Sequence, residues 1–213
     1  MSLTFSLAHL MGGIILLCGF LQLSQRRLSA MITLYQSEAL VLSAAALWQG
    51  FAQHELALYL TGLITFALKG VLLPWGLREI VQRFGMIRAV ETALPMAVSM
   101  ILGLALIGIA VLVVLPSTEA SLSLTREDLA IALSVVLLGL LLMIVRRNAL
   151  AQIIGFLSME NGLVLAAIGM PGMPFVAEFS VALLVLLTFL VVGVFLLRIR
   201  EHFDTLDLSL IHI

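Results

Sequence analysis

Residues 146–167 read RRNALAQIIGFLSMENGLVLAA, and the fold turns on this stretch. A double arginine is followed by an apolar run, Ala149–Met170, whose one ionisable side chain is Glu160, near its middle. At about 1.5 Å per residue the run is long enough to cross a hydrocarbon core of about 30 Å as a helix. No alternation of period two is present, so a strand of a membrane barrel is excluded. The stretch reads as a membrane helix with a carboxylate at half depth.

Working outward, six further runs of the same kind appear at Leu7–Leu23, Leu28–Trp48, Leu56–Leu77, Ala93–Leu115, Leu129–Val145 and Phe175–Leu197. Turn-forming residues punctuate them, at Pro116-Ser117-Thr118 and from Gly169 to Pro174. Of 213 residues, 62% are apolar and 11% charged, against about 25% charged in an ordinary soluble domain. A water-soluble globule is ruled out, and the expectation is an all-α, seven-span membrane protein with no soluble domain. The net charge of −1 leaves no basic surface for nucleic acid. The lone Cys18 and the absence of CxxC or Cys/His clusters predict no metal, haem or iron–sulfur centre, hence no cofactor in this chain. The first basic residue, Arg26, follows the first run instead of preceding it, so that run is expected to be retained.

Positive charge fixes the expected orientation. Arg26 and Arg27, then Arg78, Arg83 and Arg88, then Arg146 and Arg147, then Arg198 and Arg200 fall on one side, against Arg126 alone on the other. This predicts an outside amino terminus and a cytoplasmic carboxyl terminus. Spans one to three and five to seven then run in the same directions, and RRLSAMITLYQSEALVLSAA at 26–45 can be laid beside the opening stretch: double arginine, mid-helix Glu, small residues. Shared apolar composition explains the likeness equally well. As a repeat, it divides the chain into a three-helix unit at 1–90, a linking span and outer loop at 91–127, and a second three-helix unit with a short tail at 128–213.

Glu38, Lys69 and Glu160 lie deep in spans, each costing about 2.5–3.5 kcal/mol at a helix centre. Groups that expensive mark function by default, and the chemistry they permit is proton transfer. A Glu–Lys–Glu series joined by water is a relay, whereas a static buried ion pair would only fix helix register. Polar stripes accompany them: Asn148, Gln152 and Glu160 toward the cytoplasmic edge, Thr61, Thr65 and Lys69 from the outer side, and Tyr35 one turn before Glu38. Pro74 deprives Gly70 of its helical partner, so the helix either opens beside Lys69 or simply ends near Trp75. Glu178 is read as the exit of a relay or an interfacial side chain. His9 reads as packed or outward-reaching, His54-Glu55 as a solvated boundary pair, and Met170 and Met173 as turn and packing residues. No Ser-His-Asp set, phosphate loop or paired catalytic carboxylates appear.

The stretch VRRNALAQIIGFLSMENGLVLAA at 145–167, FALKGVLLPWGL at 66–77 and the Thr205-Leu206-Asp207 near the end resemble the hydrogenase-4 component E family (HyfE) through most of the chain. The last three spans more distantly resemble the K subunit of respiratory complex I (NuoK). The resemblance implies a non-redox membrane-arm subunit of a group 4 [NiFe] hydrogenase or formate hydrogenlyase complex in the bacterial inner membrane. Its partners would be antiporter-like and NuoH-like membrane subunits and the lipid bilayer, with the redox centres in peripheral subunits. Glu160 corresponds to the family's Met-Glu-Asn-Gly glutamate and Lys69 to its lysine before Val-Leu-Leu-Pro. The proton path implied comprises Glu38, Lys69 and Glu160, with Gln152, Tyr35 and Glu178 as secondary members. Against the K-subunit pattern, Gly155-Phe156-Leu157 lacks the acid two residues after glycine, and Glu160 comes a turn later, about 4.5 Å along the axis. Other expectations are an antiporter component of K-subunit type and a structural adaptor; neighbouring reading frames for hydrogenase or antiporter subunits discriminate between the complexes.

Overall fold

In a computed structural model of the chain, residues 3–83, 92–117 and 123–169 are described. They form the helices α1 (Leu3–Ser24), α2 (Leu28–Gln53), α3 (Leu56–Thr65), α4 (Leu73–Arg83), α5 (Met96–Ser117), α6 (Ser123–Val145) and α7 (Ala149–Gly169). A π-helix, Phe66–Leu72, joins α3 to α4 without a break, so the three make one rod. Among the described residues, six helical spans are long and apolar enough to cross a membrane. Only helices and closed barrels satisfy every backbone group without water, which is why apolar runs of this length fold so. The seventh run, Phe175–Leu197, and Glu178 within it lie outside the described residues, as do Arg88, Met170, Met173, Arg198, Arg200 and Thr205-Leu206-Asp207.

The helices α1, α2, α6 and α7 form the middle of the bundle, with α1 against α2 and α6, and α7 against α2 and α6. The rod α3–π–α4 lies on the outer side of α2, while α5 lies against α1 and α6. Its Ile101, Leu104 and Leu112 are exposed, an outward surface suited to hydrocarbon. The tightest seam is α6 on α7. A Cβ built on Gly139 would stand 2.7 Å from Met159 Cα, and one on Gly162 2.7 Å from Val136 N. Glycine here lets two backbones meet, the usual device for joining helices where no hydrophobic drive separates them from lipid.

Local chemistry sets the turns. The helix α2 closes on His54 in the left-handed conformation (φ 54°), its N–H bonded to Gly50 O, and the chain reverses through exposed Glu55 into α3. At the other end of the bundle Asn148 caps α7, its Oδ1 accepting from the amides of Leu150 (2.9 Å) and Ala151 (3.4 Å). Beside it, Thr92 and Arg146 form an isolated antiparallel bridge, with Ala93 N–H donating to Val145 O at 2.8 Å. These contacts gather Arg146 and the segment leading into α5 at the end of the bundle that also bears Arg26 and Arg27.

Candidate functional site

The packing of α2 between α7 and the α3–π–α4 rod brings Glu38, Lys69 and Glu160 into one buried cluster with zero solvent exposure. Lys69 Nζ lies 3.3 Å from Glu160 Oε1 and donates to Asn161 Oδ1 at 2.9 Å. Glu38 is held differently: Gln22 Nε2 on α1 donates to its Oε2 at 2.6 Å, and Ser158 Oγ on α7 lies 2.9 Å from both its oxygens. Asn161, bonded to Lys69, also lies near the Glu38 carboxylate. Tyr35, fully buried, lies within electrostatic reach of both Glu160 and Glu38.

The cluster is not saturated. Within the described structure, both Glu160 oxygens, the Tyr35 hydroxyl, Gln22 Oε1 and Asn161 Nδ2 have no hydrogen-bond partner. Two carboxylates face one ammonium. Fully ionised, the cluster would bury a surplus negative charge, which a low-dielectric interior disfavours strongly. One proton, on either carboxyl group, brings it to neutrality.

The lysine's placement follows from the proline. The rod does not end at Pro74, which falls in the first turn of α4; it opens into the π segment around Lys69 and Gly70 and continues to Arg83. Leu73 N–H reaches back five residues to Leu68 O, and such widened turns recur at functional sites. Thr61 and Thr65 share the buried face that leads to Lys69.

The expected stripe on α7 is corrected. Gln152 does not continue a stripe to Glu160: it is exposed and donates to Arg146 O at 2.8 Å, while Asn148 is a cap. Eight residues at about 100° each leave about 80° between positions 152 and 160, enough to turn one outward and the other in. His9 reaches α6 near its start, with Nδ1 3.2 Å from Asp128 Oδ1 and Nε2 3.6 Å from Glu127 Oε2, and remains half exposed. Among the described residues, no group of three or more His, Cys, Asp or Glu is arranged to hold a metal ion.

Four participants were not singled out from sequence: Gln22, Ser158, Asn161 and Arg146. The last is 1% exposed. Its Nη2 donates to Gln22 O (3.0 Å), which also accepts from Gln25 N–H, and to Leu23 O (2.9 Å) at the open end of α1. Burial lowers the Arg146 guanidinium from its ordinary value without discharging it. Arg146 therefore fixes the backbone of Gln22, and the Gln22 side chain in turn holds Glu38.

A helical bundle with membrane-length apolar spans and an acid–base cluster at its centre defines the class. No family model matches the chain, and no solved structure matches it. A protein of Mycobacterium tuberculosis (strain ATCC 25618 / H37Rv) described as uncharacterized protein Rv0085 is 30% identical over 202 residues, covering 93% of this chain and 90% of its own length. The chain belongs to the family of that mycobacterial protein.

Proposed function

We propose that this chain is a non-redox, seven-span membrane-arm subunit of a complex I-related hydrogenase of formate hydrogenlyase type. Its amino terminus is outside and its carboxyl terminus cytoplasmic. In this reading Glu38, Lys69 and Glu160 contribute to proton translocation or to its coupling with redox chemistry. The observation that carries it is the pair of buried carboxylates sharing one lysine, because such a set changes charge by gaining or losing a single proton. The arginine-rich loops support the orientation, and the resemblance of the 145–167 and 66–77 segments to hydrogenase-4 component E supports the assignment to that complex.

The test is Glu160→Gln in the assembled complex, which keeps the shape and removes the titrating group. Proton translocation per turnover should fall while the complex still assembles and evolves hydrogen. Full translocation with intact hydrogenase activity sinks the reading. A second reading, a structural adaptor, is favoured by the complete burial of the Lys69–Glu160 pair. It predicts that Glu160→Gln and Lys69→Met dissociate the complex, which native gels of the membrane fraction would reveal.

A further inference from the structure

Pro74 has no amide hydrogen, so Gly70 O, four residues earlier, cannot be answered in the α-helical manner. Inside an apolar span no water is at hand to replace the missing donor. The donor comes from α2: Gln36 Nε2 bonds to Gly70 O at 2.9 Å. Arg78, on α4, orients the Gln36 amide, its Nη2 donating to Gln36 Oε1 at 2.6 Å. A guanidinium can only donate, so the amide oxygen must face it and the NH2 must face the carbonyl. Gly70 permits the approach, since a Cβ there would stand 2.9 Å from Leu40 Cδ2, and Leu40 is one turn beyond Gln36 on the same face of α2.

We propose that Gln36 is a positioning residue for Lys69. By occupying the carbonyl that Pro74 releases, it fixes the π turn where Lys69 Nζ meets Glu160 and Asn161. Helix α2 thereby serves the cluster twice. Glu38 enters it directly, and Gln36, two residues earlier and about 200° around the helix, acts from the opposite face through Gly70.

Two substitutions separate the contacts. Gln36→Met removes both, whereas Gln36→Glu keeps an acceptor for Arg78 but turns an oxygen toward Gly70 O. The first measurement needs no activity: reversible unfolding of the purified full-length chain in dodecyl maltoside, as a double-mutant cycle with Lys69→Met. Each Gln36 variant alone should lower the folded-to-unfolded ratio about tenfold. Combined with Lys69→Met, the losses should fall short of additivity by about threefold or more. Additive losses, or a Gln36→Glu chain as stable as the unmodified one, overturn the proposal; if Gln36→Met does not fold, Gln36→Glu carries the cycle.

The second measurement rests on the functional reading: proton translocation by the assembled complex in vesicles, with reduced methyl viologen as electron source. Gln36→Met should lower it, and should lower it no further in a Lys69→Met background. A non-additive stability cycle together with a Lys69→Met complex that translocates normally would remove the functional reading and leave the role of Gln36 standing.

Discussion

Glu38 and Glu160 are equally buried, on helices packed against each other, yet they are held by opposite means. Glu38 is met by neutral donors from two helices, Gln22 on α1 and Ser158 on α7, whereas Glu160 has a single cation at 3.3 Å and no hydrogen bond to either oxygen among the described residues. Neutral donors spread and stabilise charge without cancelling it; an ammonium cancels it. Two carboxyl groups in identical surroundings would merely share a proton. Two in different surroundings, with Asn161 bonded to Lys69 beside them, differ in what stabilises their charge, and the proposed proton role rests on that difference.

The largest effect expected from breaking this asymmetry is that of Lys69→Met. It strips Glu160 of its only counter-ion among the described residues, at a buried position, and should cost about 3–5 kcal/mol of unfolding free energy. Adding Glu160→Gln should recover most of that loss, because no orphaned charge remains. An unchanged stability in the single variant would show that Lys69 does not hold Glu160. Next come Gln22→Leu and Ser158→Ala, each removing a buried hydrogen bond to the Glu38 carboxyl group and each expected to cost about 1–3 kcal/mol. Their effects should couple to Glu38→Gln in double-mutant cycles and add independently to Glu160→Gln; coupling to Glu160→Gln instead would erase the distinction between the two halves.

A third and smaller effect tests whether burial or distance sets these magnitudes. His9 lies 3.2 Å from Asp128, as close as Lys69 is to Glu160, but it is half exposed. His9→Ala should change stability by only about 0–1 kcal/mol, and under acidic conditions that protonate the imidazole, raising the salt to about 1 M should abolish the ionic part of the difference by screening. A loss as large as that of Lys69→Met would place the two clusters on the same footing.

The three central charges were legible because an apolar span leaves an ionisable residue nowhere to hide. Their neutral partners were not. Gln22, near the end of α1, and Ser158 and Asn161, in the middle of α7, are neutral polar residues far cheaper to bury than a charge, and only the packing of α1, α2 and α7 decides that they face Glu38 and Lys69. Arg146 belonged to a loop in the chain order, and its burial depends on the end of α1, 123 positions away in sequence. Gln152 was grouped with Glu160 because spacings of four and eight drift slowly around a helix, but about 80° of drift is enough to turn it outward. Pro74 admitted both a helix end and an opening. The choice rests on a donor from another helix, Gln36, which no pattern within 66–77 carries. The helical spans themselves needed none of this, since length and apolarity suffice to specify them.

Tyr35 gives the subtlest way to sharpen the comparison. Its hydroxyl is buried within electrostatic reach of both carboxylates and has no hydrogen-bond partner within the described structure. Removing an unpaired buried hydroxyl forfeits no bond and relieves its desolvation, so Tyr35→Phe should leave unfolding free energy within about 0.5 kcal/mol of the original. Proton movement between the halves is a separate matter, because phenylalanine can neither accept nor pass on a proton. If Glu38 and Glu160 exchange one through this group, Tyr35→Phe lowers translocation at unchanged stability, a combination that a packing role does not produce. A loss above about 1 kcal/mol would instead reveal a bond holding the hydroxyl in place. Normal translocation at normal stability would leave Asn161 as the bridge between the two acids, and Asn161→Leu as the substitution that has to sever them.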